Sequence, residues 1–497
     1  MVFDRAAREQ PDQVWRFILV DAGREEATTL ADLARNAHAF ADDLGRVAAE
    51  PSPVVGSVLP NVAGAVSTCF GTLAAGGVAF PISLREGRDS LAALLARVGV
   101  SDIVLADGDA EKLGWAEDYL AAGLVRRIWR TASDGAPSLH GAISTAEPSP
   151  RRAPREEGVC MITYTSGSTA EPKLVLCGDD QLLAEREFRD VLVTRGPSLV
   201  PSPVGHITGV LNLLLFPLMR PDPVVAMDQW DASIAIDACR RHGCIELRGT
   251  SVYAQQMLAI APDLGGLKTG IVGGGPVAPA TVKRCDAGGV RLVRAYGSTE
   301  HPTVTCSLET DPLDLRSMTD GRPFAGVLLR LLDENGTPVE PGEPGEIHSR
   351  GPDAMLGYLD AKLDMEYYTE DGWFQTGDVG TIDERGALTI NDRIKDIIIR
   401  GGENVSAKEV EDRLHEWEDV VEAAVVGIPD DVYGERACAF VIPRREVTLG
   451  GMCEFLASSG LEKFKWPEQL VLVDTLPRTA SGKVRKNSLR ERYSSVE

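Results

Sequence analysis

The chain has 497 residues, 43% hydrophobic, 25% charged and 6% aromatic, the balance of a globular protein rather than a disordered or fibrous one. With 74 acidic against 51 basic side chains the formal charge is −23, so a polyanion meets net repulsion and nucleic acid is not expected as a partner. No stretch suits a membrane span, because the most apolar run, Val210 to Met219, is short and broken by Pro217, and the charged N-terminus lacks a signal-peptide core.

Nine scattered cysteines read as reduced thiols, and a cytoplasmic location is expected. The nearest approach to a metal cluster, Cys239, His242 and Cys244, lacks a second ligand pair at zinc-site spacing and reads as ordinary buried residues.

At roughly 150 residues per domain the length suggests about three structural units. In chain order, an apolar run from Pro53, a helical stretch over Val62 to Ala75, and GGVAFPI before Ser83 read as strand, helix, strand. Asp102 to Ala106 reads as another buried strand, and this alternation predicts parallel strands covered by helices. The polar stretch Ser133 to Glu157 reads as a surface connection. VCMITY then predicts a strand leading into a small-residue loop, with Asp179 and Asp180 as candidate caps of a helix QLLAEREFRDVL. GVRLVRAYG predicts a strand ending at YGSTE, and turn-rich segments between 325 and 390 predict β-hairpins. Beyond Lys395, SAKE at Ser406 to Glu409 is a capping-box pattern opening a helix; VVEAAVVGI, a helix near Met452 to Ala457, and the strand EQLVLVDTL complete an α+β unit.

The string YTSGSTAEPKL, Tyr164 to Leu174, is hydroxyl-rich and closed by Lys173, so its amides, hydroxyls and ammonium could wrap a polyphosphate. It is not a Walker A loop, since the G-x-x-x-x-G-K-S/T spacing is absent. Four further strings follow: AYGSTE at 295–300, QTGDVG at 375–380, NDRIKDIIIRGGENV at 391–405 and PRTASGKVRK at 477–486. Together they closely resemble the adenylate-forming superfamily of acyl-CoA synthetases, peptide-synthetase adenylation domains and luciferases, over nearly the whole chain.

The resemblance implies an α/β fold: a large layered N-terminal domain with a β-rich end, residues 1–394, and a small mobile α+β C-terminal domain, residues 395–497, hinged at Lys395. It implies adenylation of a carboxylic acid by ATP, then transfer of the acyl group to coenzyme A. Attack of a carboxylate on the α-phosphate needs no general base, because the substrate is its own nucleophile; it needs positive charge and preorganised donors around crowded anions. By resemblance, Thr165, Ser166, Gly167, Ser168, Thr169 and Lys173 form the phosphate loop. In the string Tyr296, Gly297, Ser298, Thr299, Glu300, the tyrosine lies against adenine, Thr299 meets the α-phosphate and Glu300 binds Mg²⁺. Asp378 takes the ribose hydroxyls, Arg393 contacts the nucleotide from the domain junction, and Lys483 bridges the substrate carboxylate and α-phosphate. The small domain is expected to rotate about Lys395 between the two half-reactions, bringing Gly401 and Gly402 to the pantetheine tunnel.

Two departures stand out. The family's loop ends TG-x-PKG, whereas Ala170 and Leu174 replace both glycines here, and Cys177-Gly178 stands where a histidine is usual. A glycine with positive φ at either place would make the substitution strained and adenylation slow. That leaves open a homologue that mainly completes the thioester-forming half-reaction, and a non-catalytic relative. The acyl pocket is expected to involve His206 in PVGHITG, Gly273, Gly274 and Gly275, and His301. The order of these segments looks most like bacterial ligases for alicyclic and aromatic acids, so a ring-bearing acid, from aryl to terpenoid, is expected, with a medium-chain fatty acid as the alternative. Free coenzyme A is favoured as acceptor over a separate acyl carrier protein, and a homodimer is compatible with the acidic surface.

Overall fold

The computed structural model describes residues 2–48, 52–132, 135, 137–142, 158–165, 171–186, 191, 193–430, 432–478 and 484–494. Among these, strands form four sheets. The first runs in space Gly357–Tyr358, Lys173–Gly178, Val159–Thr165, Val78–Pro81, Val54–Val58, Asp102–Ala106, Arg127–Thr131, Ser138–Ala142. Its middle strands pair in parallel and are wholly or nearly wholly buried, which is why VVGSV and DIVLA read as unbroken apolar runs rather than alternations. Ser138–Ala142, inside the stretch read as a surface connection, is an antiparallel edge strand instead. Its polar, glycine-containing sequence carries little strand signal, and pairing with Arg127–Thr131 supplies what propensity does not.

The second sheet has nine strands, with Arg291–Tyr296, Thr269–Gly273, Glu246–Thr250, Ser198–Val200, Val224–Met227 and Val14–Leu19 consecutive and parallel. Its edge, Arg24–Thr29, is REEATT, a polar strand that exposes charge where further pairing would otherwise occur.

Between these sheets lie the helices Leu30–Val47 and Ala63–Ala74, the second buried along almost its whole length, and one core cluster joins both helices to side chains of both sheets. The outer face of the nine-stranded sheet is covered by Ala232–His242, Ser251–Ile260 and Pro279–Ala287, and that of the eight-stranded sheet by Arg88–Val98 and Ala110–Ala121. A four-stranded antiparallel sheet, Leu328–Leu332, Gly345–Arg350, Phe374–Ile382 and Leu388–Arg393, completes the large N-terminal domain. The chain leaves it through the short turn Ile394–Asp396 and enters the five-stranded sheet of the small C-terminal domain at Ile397–Arg400. Helices Ala407–Leu414 and Leu449–Ser458 pack on one face of that sheet and Leu489 of Lys486–Ser494 on the other.

Two local expectations change. Ser406 caps Ala407–Leu414 by accepting from the Glu409 amide at 3.1 Å, but the Glu409 carboxylate takes Lys465 at 2.8 Å rather than closing the reciprocal half of the box. The helix after the small-residue loop starts from Gly178, not from an aspartate: Gln181 Oε1 accepts from the Gly178 amide at 3.1 Å, and Asp179–Ala184 is short.

Candidate active site

Strand Arg291–Tyr296 ends in a tight reversal: the Val304 amide donates to the Tyr296 carbonyl and the Ser298 amide to the His301 carbonyl, both at 2.9 Å. A Cβ at Gly297 would fall 2.0 Å from the Pro302 carbonyl oxygen, so a side chain there would break the turn. The turn carries Thr299, half-buried, and Glu300, 6% exposed, with Glu300 Oε1 accepting from the Tyr358 hydroxyl at 2.8 Å. Lys173 Nζ lies 3.7 Å from the same oxygen and 3.7 Å from the centre of the Tyr367 ring. A buried carboxylate is sustainable only with such partners. Its hard oxygen donors also fit a Mg²⁺ ion.

Lys173 faces Thr165 across the antiparallel pair that flanks the small-residue loop, and Thr165 Oγ1 is buried with no partner among the described residues. A buried hydroxyl left over at the mouth of a loop suits an added acceptor such as a phosphate oxygen. Ser166, Gly167, Ser168, Thr169 and Ala170 lie outside the described residues, as does Lys483. Leu174, one of the two replaced glycines, is an in-register strand residue opposite Tyr164, 2% exposed in the core, and Leu264 alone among described non-glycine residues has positive φ. The strain expected of Leu174 is therefore not there.

Asp378, on Phe374–Ile382, pairs in register with Arg393 on Leu388–Arg393. Its Oδ1 lies 2.9 Å from Arg393 Nε and its Oδ2 accepts from the Tyr296 hydroxyl at 2.8 Å. Burial, then the Asp378 charge, push the Tyr296 phenol up, so it stays a donor. The four-stranded sheet thus delivers a carboxylate to the carboxyl end of a central parallel strand, where open α/β sheets bind ligands.

On the acyl side, Thr208 Cγ2 would stand 3.6 Å from a Cβ at Gly274, whose φ is +72°, so the helix beginning after His206 packs over the glycine run. At Gly273 a Cβ would meet the Ala295 carbonyl oxygen at 2.4 Å; close strand approach, not only pocket volume, requires that glycine. Gly275 is half-buried next to it. His206 is 7% exposed, with its ring centre 6.4 Å from that of Tyr164.

His301 departs from expectation. Its ring is 1% exposed and held by Ser349 Oγ at 2.8 Å and Asp353 Oδ1 at 3.0 Å, so it braces the reversal instead of lining an open pocket. Asp353 Oδ2 also accepts from the Thr303 amide at 3.0 Å, and the Thr303 hydroxyl donates to the buried Glu185 at 2.9 Å. Sequence reading missed Ser349, Asp353 and Glu185, which lie outside the motifs and join only by folding.

A family model described as "AMP-binding enzyme" matches residues 3–359, and one for the "AMP-binding enzyme C-terminal domain" matches 409–483. The chain belongs to the AMP-binding enzymes. Within that family its relatives include several named as CoA ligases or CoA synthases, alongside a triostin synthetase of Streptomyces triostinicus. A feruloyl-CoA synthase of Amycolatopsis sp is 31% identical over 94% of each chain. The medium-chain fatty-acid–CoA ligase of Escherichia coli is 34% identical over 67% of this chain, which spans 61% of that relative. The crystal structure of ATP-bound MatB from Rhodopseudomonas palustris, 26% identical, superposes with a TM-score of 0.85 over 100% of this chain and 99% of that one. The fold is that of adenylate-forming enzymes.

In this AMP-binding enzyme Lys395 is the middle residue of the turn Ile394–Asp396, two positions after Arg393, and partial burial together with the Arg393 charge hold its ammonium below lysine's ordinary value. The Lys395 carbonyl accepts from Arg490, which also pairs with Asp396 at 3.2 Å. Gly401 and Gly402 have φ of +59° and +92° and close the hairpin between Ile397–Arg400 and Glu403–Ser406, a two-residue turn needing positive φ at both positions. Among the described residues no helix is long and apolar enough to cross a membrane, and no group of three or more His, Cys, Asp or Glu could hold a metal ion. His242 pairs with Glu25 at 2.8 Å instead of joining Cys239 and Cys244.

Proposed function

We propose that this AMP-binding enzyme activates a ring-bearing carboxylic acid with ATP and Mg²⁺ and transfers the acyl group to coenzyme A. The observation that carries the reading is the convergence of Lys173, Glu300, Tyr296 and Asp378 from four separate strands and turns onto the carboxyl end of the parallel sheet. In the first half-reaction the substrate carboxylate oxygen attacks the α-phosphorus, the α–β phosphoanhydride bond breaks and pyrophosphate leaves. Lys173 and the hydroxyls from Thr165 to Thr169 bind the phosphates, Thr299 meets the α-phosphate, Asp378 receives the ribose hydroxyls and Lys483 bridges carboxylate and phosphate. Glu300 would hold Mg²⁺, which when bound offsets phosphate charge. In the second, the coenzyme A thiolate attacks the acyl carbon and AMP leaves as the acyl–phosphate bond breaks.

The ring-bearing class is supported by relatives named for ferulate, 2-succinylbenzoate and indoleacetate, against two named for acyclic acids, medium-chain fatty acids and sulfoacetate. The unstrained Leu174 supports an intact adenylation half-reaction over a chain confined to thioester formation. The test is pyrophosphate release and acyl-CoA formation with aryl, alicyclic, terpenoid and medium-chain acids, each with and without coenzyme A. Turnover confined to ring-bearing acids is expected. Preference for the fatty acid overturns the substrate class, and thioester formation only from a supplied acyl adenylate overturns the first half-reaction.

A further inference from the structure

Strand register places Arg248, Ile271 and Val293 side by side on three adjacent parallel strands, and Thr250, Gly273 and Ala295 side by side two residues nearer the carboxyl ends. Alternation puts both rows on one face of the sheet. The opposite face, with Leu247, Val272 and Leu292, packs under the outer helices. On the inner face Ile271 and Ala295 are only half-buried although their strands are central; they pack against the cluster of Val191, Val293 and Cys306, as does Phe324, which also packs against Leu211 and Phe216 of the helical segment after His206. This is the ground between the glycine run and the His206 helix. Arg248 lies on it, about 7 Å deeper than the Gly273 row.

Arg248 is 3% exposed, and its guanidinium carbon stands 5.0 Å from the centre of the Phe216 ring. Its Nε pairs with Glu246, whose other oxygen takes Arg220 Nη1 at 3.0 Å, while Arg220 Nε takes Asp222 at 3.1 Å. Two guanidinium groups and two carboxylates cancel in charge. Yet Arg248 Nη1 and Nη2 and, one row above, Thr250 Oγ1 are buried with no hydrogen-bond partner among the described residues. Buried donors are almost always satisfied, so a fork of unused N–H groups on the sheet face that carries the glycine run expected to line the acyl pocket calls for an acceptor from outside the chain.

Resting on the acyl-CoA ligase reading, we propose that Arg248 is a specificity-determining residue that receives a carbonyl oxygen at the far end of the acid, with Thr250 beside it. The preferred substrate is thus a ring acid carrying a distal ketone. A second carboxylate is disfavoured, because it would add an uncompensated charge to a buried cluster already neutral.

The experiment compares alicyclic acids of one skeleton whose far end is a ketone, a carboxylate or a methylene. Two quantities are read on the full chain: kcat/KM for pyrophosphate release, and the acid-induced shift in Tm, which needs no turnover. The wild type is expected to favour the ketone over the methylene acid by about 10- to 100-fold, the value of a hydrogen bond to a charged group. Arg248→Met should erase that ratio through KM rather than kcat. Arg248→Lys, which keeps the charge beside Glu246 but loses the fork, should leave an intermediate ratio and covers the case in which the methionine variant does not fold. Equal handling of ketone and methylene acids by the wild type, a ratio unchanged in the variants, or preference for the dicarboxylate overturns the proposal. Absence of turnover with every acid would instead count against the ligase reading, and the Tm shifts would still decide for or against Arg248.

Discussion

Tyr296 serves two neighbours at once: its ring lies at the carboxyl end of a central strand and its hydroxyl holds Asp378 Oδ2 at 2.8 Å. Removing that hydroxyl leaves Asp378 held, among the described residues, by Arg393. Tyr296→Phe is therefore expected to raise KM for ATP by about tenfold while leaving kcat nearly intact, read by pyrophosphate release at varied ATP; a fall confined to kcat would contradict the assigned role. Lys483 makes the opposite prediction. A cation that bridges the carboxylate and α-phosphate acts in the transition state, so Lys483→Ala should slow adenylation by about 10² to 10³ and spare thioester formation from a supplied acyl adenylate. Unchanged pyrophosphate release would show that another cation does this work.

At the scale of elements, the reversal from Gly297 to Val304 matters most, because it presents Thr299 and Glu300. Its brace is a buried polar network: His301 on Ser349 and Asp353, and Thr303 on Asp353 and Glu185. Desolvation, then the charge of Asp353, hold the Glu185 carboxyl well above the usual carboxylate range. A folded-state value raised above the unfolded one stabilises the fold below the ordinary carboxylate pKa of about 4.3 and loses that contribution as pH rises. Glu185→Gln keeps an oxygen for the Thr303 hydroxyl and cannot ionise. Its Tm should match the wild type near pH 4 and exceed it increasingly toward pH 8; a gap independent of pH would show that Glu185 is not held neutral. The same scale explains which elements were legible. VVGSV and DIVLA are buried on both faces and so are apolar throughout, whereas REEATT and SLHGA are edge strands whose partners, not their own side chains, make them strands.

At the scale of the molecule, two domains meet at a three-residue turn, Ile394–Asp396. The link is reinforced by polar contacts, with Ser406 donating to Asp392 at 2.8 Å and Arg490 pairing with Asp396 at 3.2 Å. These contacts are few and polar, of a kind that can exchange in the domain rotation proposed between the two half-reactions. Lys395→Pro restricts φ at the pivot and should leave pyrophosphate release within about threefold of wild type while slowing acyl-CoA formation by at least about tenfold. Equal loss of both activities would place the pivot elsewhere.

The amino-acid sequence by itself determined the adenylate-forming family, the α/β layering and the strings around Thr165, Glu300 and Asp378, because these are local: a loop, a turn or a strand end is written in consecutive residues. The tertiary structure alone decided that Leu174 sits unstrained in a strand, that His301 faces inward to Asp353, and that Gly401 and Gly402 form a hairpin turn. It alone aligned Arg248 with Ile271 and Val293 and set it beneath Gly273. The reason is physical: backbone sign, side-chain direction and the unused donors of a buried group depend on neighbours tens or hundreds of residues away, and only strand register brings those neighbours together.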